Sequence, residues 1–180
     1  MTDRKTQIKL AATNLFLTEG LSVSTASIAK AAGVSNGTLF NVFPTKQDLI
    51  DTIFYDAKFA MFGALPNSGD APFNRAAVRE NWDSYLDWAR AFPQDRQVLH
   101  LLLEAGLVSE TTQAKVNDMG AAHYVWLGDA LANGKLRGPS MDFIGRLIFF
   151  QIDLVITENL EGADIDLAFD MLCNAIGLKE

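Results

Sequence analysis

Almost every long stretch of this sequence repeats its apolar residues at intervals of three and four, and the breaks between stretches fall on glycine or proline. Residues 4–17 place Ile8, Ala11, Ala12, Leu15 and Phe16 on one stripe, which Gly20 ends. No run alternates β-branched residues between turn signals, so no strand is expected. The fold class that follows is all-α, with about nine helices, over 4–17, 24–32, 35–41, 46–62, 73–91, 94–105, 109–133, 139–160 and 164–176. The breaks are Gly33, Phe43-Pro44, the loop Asn67-Ser68-Gly69-Asp70-Ala71-Pro72, Phe92-Pro93, Gly106, Gly134 to Pro139, and Gly162.

Residues 24–43 form the most specific local pattern. Ser24 or Thr25 caps a short helix holding Ile28, Ala29 and Ala32. Gly33 turns the chain, and Ser35 caps a second short helix that Phe43-Pro44 stops, because proline disfavours helix in the residue before it. Thr45-Lys46-Gln47-Asp48 then reads as a capping box with Asp in the usual place of Glu. Small Ala29, Ala31 and Ala32 let the two helices approach, and Ile28, Val34 and Leu39 make a miniature core. Asn36, Gly37, Thr38 and Asn41 are left on the outside. With the helix of residues 4–17 as brace, this is a helix-turn-helix pattern suited to a major groove. On the residue pattern alone, a plain helical hairpin with no DNA role fits equally well.

A net charge of −7 argues against a nucleic-acid partner until its distribution is read. Residues 1–50 carry five bases and three acids, a balance of +2, and the remaining residues a balance of −9. An acidic body with a mildly basic N-terminus suits a protein that meets phosphate only through that end. The start at Met1-Thr2-Asp3-Arg4-Lys5 leads into an amphipathic pattern rather than a signal peptide, so a cytoplasmic protein is expected. The apolar run 143–156 is too short to span a bilayer and contains Arg146 and Asp153. Cys173 has no partner for a disulfide and reads as a small core residue. No phosphate loop, dinucleotide fingerprint or nucleophile elbow is present, so neither an enzyme nor a cofactor is expected. His100 and His123 lack a carboxylate or cysteine at ligand spacing, and no metal site is expected from them.

The run Ile28-Ala29-Lys30-Ala31-Ala32-Gly33-Val34-Ser35-Asn36-Gly37-Thr38-Leu39-Phe40, followed by Phe43, Lys46 and Leu49, resembles the signature of the TetR family of repressors. Ala12, Leu15-Phe16 and Gly20 also stand where that family has them, so the resemblance covers roughly residues 4–53. It implies a DNA-binding domain over 1–50 and a helical ligand-binding and dimerisation domain over 51–180. It implies a homodimer on a near-palindromic double-stranded operator, acting as a repressor and released by a small apolar or amphipathic ligand. The residues expected at DNA are Ser24, Thr25, Ser35, Asn36, Gly37, Thr38, Phe40, Asn41, Thr45 and Lys46. Thr25, Thr38 and Lys46 match positions that meet phosphate in the family, and Asn36 and Asn41 suit adenine edges. Three positions depart from the family pattern. Asn36 stands where a basic residue is common, Phe40 where tyrosine is, and Val42 where histidine or tyrosine is, so fewer phosphate contacts and weaker binding are expected.

In the body the aromatic and polar residues Trp82, Tyr85, Trp88, His100, Met119, His123, Tyr124, Trp126, Phe150 and Asp153 are read as core packing or as the lining of a ligand pocket. Asp153 is expected to pair with Arg146 seven residues earlier, or to serve as a pocket anion. The run 143–156 is apolar nearly all round, more than a chain this small readily covers, which points to a helical dimer interface, and the resemblance implies that the helices over 139–160 and 164–176 form it. Phe143, Leu147, Phe150, Leu154, Leu167 and Met171 are accordingly expected at a four-helix dimer interface. A reading of a different class is a helical protein-interaction module whose DNA-binding head is degenerate.

Overall fold

The computed structural model describes residues 3–66, 69 and 71–178. Met1, Thr2, Asn67, Ser68 and Asp70, which enter the sequence readings above, lie outside the described residues. Among those described there are ten helices and no strand. They are α1 (Arg4–Glu19), α2 (Thr25–Ala31), α3 (Asn36–Val42), α4 (Lys46–Ala64), α5 (Arg75–Ala91), α6 (Pro93–Glu104), α7 (Glu110–Met119), α8 (Ala121–Ala132), α9 (Met141–Thr157) and α10 (Ala163–Ala175). The all-α expectation holds. The tenth helix arises because the single helix expected over 109–133 breaks at Gly120. A side chain there would place its Cβ 2.5 Å from the ring of Phe62 and 2.8 Å from that of Tyr124. α9 ends before the expected residue 160. Asn159 takes a left-handed φ of 52° and Leu160 N–H returns to Val155 O at 3.0 Å, a C-terminal cap with asparagine in the place of glycine. Pro93 opens α6 at its first position, where its missing N–H costs nothing.

The chain divides into two compact units, Met1–Met61 with Phe92–Asp118, and Phe62–Ala91 with Met119–Glu180. In the first, α1 buries Ile8, Ala12 and Phe16, and α2, α3 and α4 bury Ile28, Leu39, Leu49, Ile53 and Phe54. Gln94 of α6 donates to Asn14 Oδ1 of α1 at 2.8 Å. Gln47 Nε2 donates to Leu107 O at 2.7 Å, and Ser109 N–H donates to Asp51 at 3.0 Å, which ties the start of α7 to α4. The second unit has one core, built from Trp82 and Leu86 of α5, Trp126 and Ala130 of α8, Ile144, Ile152 and Val155 of α9, and Phe169, Leu172 and Cys173 of α10. Arg75 and Arg79 of α5 pair with Asp170 and Asp166 of α10 over the ring of Phe169. Burial pushes the Cys173 thiol up, which suits the inert core residue expected of it.

The Asp51 contact has a pH signature. Burial alone would raise its pKa, but hydrogen bonds from Ser109, Gln47 and Thr112 outweigh burial and hold it below the ordinary value of 3.8. A carboxylate with a depressed folded pKa stabilises the fold above its unfolded pKa and loses that contribution as pH falls through the folded one. Asp51→Asn is therefore expected to lower the thermal midpoint at neutral pH, and the gap to the wild type should close as pH drops below 3.8. Thermal melts of both proteins across that range check this. A gap that persists unchanged in acid would show that the Asp51 charge does not hold α7.

Candidate nucleic-acid interface

Local chemistry places α2 and α3. Ser24 is the N-cap of α2 and accepts from Ser27 N–H at 3.1 Å, so the cap is Ser24 rather than Thr25, which is the first helical residue. Gly33, at φ 67°, turns the chain while Val34 N–H bonds Ala29 O at 3.0 Å and Gly33 N–H bonds Lys30 O at 3.1 Å. A residue with Cβ is strained at that φ, and this paired closure of a helix end is the glycine C-cap. Ser35 caps α3 by accepting from Thr38 N–H at 3.0 Å, and its hydroxyl also lies 2.9 Å from the Thr38 hydroxyl. Thr45 and Asp48 form the expected capping box: Thr45 N–H donates to Asp48 at 2.9 Å and Asp48 N–H to Thr45 Oγ1 at 3.1 Å. Ile28 and Leu39 are buried as expected. Val34 is only half-buried and Ala31 is exposed, so Ala29 is the small residue at the close approach.

These caps and turns set which face of α3 looks outward. At ~100° per residue, Asn36, Gly37, Phe40 and Asn41 fall within one arc of ~140° that leaves Leu39 outside it. All four are exposed, and Leu39 is fully buried. Thr25 and Thr38 are half-buried beside that face, while Ser24, Ser35 and Thr45 are exposed with their hydroxyls engaged in caps. Gly37 would bring a Cβ no closer than 3.8 Å to Ser35 Oγ, so it is open space rather than packing that the glycine leaves on the face.

The cations around this face are few. Lys46 turns inward: its ammonium donates to Leu21 O at 2.6 Å and Val23 O at 2.7 Å and lies 5.8 Å from the centre of the Phe16 ring. Lys9 pairs with Asp56. Lys58 extends along α4 beside the Phe54 ring, where burial lowers its ammonium pKa to about 8. That leaves Arg4, Lys5 and Lys30, three of the five bases counted in residues 1–50, as exposed cations of the head.

The body residues singled out from sequence do not form one group. Trp82 belongs to the core and meets the Phe169 ring in a tilted contact at 5.5 Å between ring centres. Tyr85 meets Trp88 at 5.6 Å and Phe149 at 6.3 Å. His123 lies between Phe62 and Trp126, and burial lowers its pKa, so the imidazole is neutral at pH 7. Tyr124 is exposed beside Phe62, and Met119 is half-buried at the end of α7. His100 is in the first unit and pairs with Glu104 at 3.1 Å. Asp153 is half-buried, and Arg146 bonds Asp142 at 3.2 Å, one turn back, instead of the expected Asp153. A cleft of 390 Å³ in the second unit is lined by Phe73, Val125, Trp126, Asp129, Ala130 and Lys135 among others, and Trp126 is the residue of the expected set that reaches it. Of the six expected interface residues, Phe143, Phe150, Leu154, Leu167 and Met171 are exposed, and Leu147 is partly buried against the core.

Residues 8–53 match the family described as bacterial regulatory proteins, tetR family. Solved structures share the fold of the whole chain. A protein of Shewanella sp. PV-4, described as a tetR family transcription regulator, superposes with a TM-score of 0.81 at 22% identity over 97% of this chain and 98% of its own. A tetR family transcription regulator of Marinobacter aquaeolei VT8 gives 0.79 at 20% identity over 96% and 95%. A transcription regulator of Lactobacillus plantarum gives 0.72 at 17% identity over 97% and 98%.

Proposed function

We propose, from the premise that this chain is a tetR-family transcription regulator with that family's head at residues 8–53, that it binds an inverted-repeat DNA operator as a homodimer and represses the genes beside it. The observation that carries this reading is the exposed arc of α3, Asn36, Gly37, Phe40 and Asn41, which leaves the buried Leu39 outside it. A short helix with one face anchored in a core and a polar face left bare is what a major groove accepts. Residues 1–50 act as the reader and 51–180 as the sensing and dimerising body. Ser24, Thr25, Ser35, Thr38 and Thr45 are the flanking residues proposed to meet DNA, and the backbone N–H groups at the start of α4, where Lys46 stands, are proposed as an anion site for phosphate. The bare apolar residues of α9 and α10 support the dimer. A small apolar or amphipathic ligand in the body, with the cleft at Trp126 as support, would release the operator, in a protein working in the cytoplasm.

The protein-interaction reading has one observation in its favour, the absence of any cation on α3. Selection of bound sequences from a random duplex pool separates the two. Recovery of an inverted repeat is expected, and no enrichment even at low salt would sink the operator reading. Gly37→Ala offers a further check. Alanine is favoured over glycine inside a helix by about 1 kcal/mol, and the added Cβ clashes with nothing in the head. The variant should melt no lower than the wild type yet bind the selected duplex more weakly, because the methyl stands on the reading face. Equal binding would show that the Gly37 gap is not used for close approach.

A further inference from the structure

Phe40 is an exposed phenyl, 41% accessible, in the middle of a face otherwise made of two carboxamides and a glycine. It lies on the same side of α3 as Asn36, one turn later, and ~100° round the helix from the buried Leu39. Nothing on that face is charged. Asn36 and Asn41 can each hydrogen-bond an adenine edge through N6 and N7. A phenyl ring can do neither that nor bind phosphate. In the major groove the apolar feature of a base pair is the C5-methyl of thymine, the partner of adenine.

We infer that Phe40 is a specificity-determining residue that packs on the methyl group of one thymine in each half-site, making the reading face select A·T pairs through apolar contact as well as through its asparagines. This rests on the operator reading above. The ring has lost the polar tip that would anchor it to the DNA backbone, and what remains is a group whose desolvation is favourable only against another apolar surface. The scarcity of exposed cations gives this contact more weight, since non-specific phosphate attraction supplies less of the affinity.

The test uses the full-length protein and the duplex recovered by selection, with each thymine replaced in turn by deoxyuridine, which removes the methyl and leaves the pairing intact. One thymine per half-site should show a loss of about fourfold on replacement, the worth of one buried methyl. In Phe40→Ala that loss should disappear, while in Phe40→Leu, which keeps an apolar contact, most of it should remain. Phe40 is exposed, so circular dichroism of both variants should match the wild type. If no thymine is sensitive, or the sensitive one is equally so in Phe40→Ala, the thymine contact is wrong while operator binding stands. If selection recovers no shared sequence at all, operator binding has failed and the contact falls with it.

Discussion

Phe150→Asp combined with Leu154→Asp should yield a folded monomer that has lost specific DNA binding. The two residues are 52% and 57% exposed. Phe143, Phe150 and Leu154 fall on one narrow stripe of α9, and Ile144, Ile152 and Val155 occupy the opposite, buried side of the same helix. Leu167 and Met171 repeat the arrangement on α10. Five exposed apolar side chains on two neighbouring helices support the proposed dimer interface, since a monomer rarely exposes so many together. A two-fold interface meets itself, so each carboxylate introduced on α9 is also set among the partner's apolar side chains, where burying it is costly. Nothing in the core is touched, so helical content should be unchanged. Linking two heads multiplies affinity by ~10²–10⁴, and the monomer should therefore bind an inverted repeat at least about a hundredfold more weakly. Light scattering reads the mass, and titration of a labelled duplex reads the affinity. A double variant that remains a dimer would remove α9 from the interface.

Lys46→Met should destabilise the head without changing how binding depends on salt. A lysine at the start of α4 invites assignment to a phosphate, and such a contact would reduce the slope of log affinity against log salt by about 1 when removed. The ammonium instead donates to the carbonyls of Leu21 and Val23, in the connection between α1 and α2. Hydrogen bonds to a charged group are worth ~1.5–3 kcal/mol. Methionine keeps the apolar length of the side chain but leaves both carbonyls without this donor, so a loss of about 2–3 kcal/mol in stability is expected. Binding should fall by a similar factor at every salt concentration, because α2 and α3 are less firmly placed. With Arg4, Lys5 and Lys30 as the exposed cations in each of two heads, the wild-type slope itself should be no steeper than about 5, at ~0.9 for each phosphate neutralised. Unchanged stability together with a slope reduced by one would return Lys46 to the phosphate.

What could be read from sequence was what is decided within a few residues. Ser24, Ser35, Gly33 and the pair Thr45 and Asp48 announce their caps because cap and capped groups lie three or four positions apart. The apolar excess of the run 143–156 was legible from composition, and in α9 Ile144, Ile152 and Val155 are buried while Phe143, Phe150 and Leu154 are exposed. Contacts between distant residues were not legible. The Lys46 ammonium reaches carbonyls more than twenty positions earlier, and nothing near Lys46 marks that direction. Gly120 breaks the helix where rings of Phe62 and Tyr124 occupy the space of its missing Cβ, whereas Gly128 and Gly145 lie inside helices with nothing within 4 Å. Asn159 ends α9 through a left-handed conformation that asparagine tolerates and composition does not reveal. Arg146 and Asp153 are seven residues apart on one side of α9, but Asp142 is a turn nearer and takes the guanidinium. The aromatic residues of α5 were ambiguous from spacing alone. Trp82 and Trp88 went to buried positions and Tyr85 to a half-buried one, because spacing cannot tell a core from a cavity wall.

If two copies of the α3 face read two half-sites together, scrambling one half-site should cost most of the affinity. Titration of the protein against two duplexes of equal length, one carrying the selected inverted repeat and one with a single half-site scrambled, measures this. One dimer per intact repeat and a loss of about a hundredfold or more on the scrambled duplex are expected. Equal affinity for the two, with one protomer bound to each, would contradict joint reading of the half-sites.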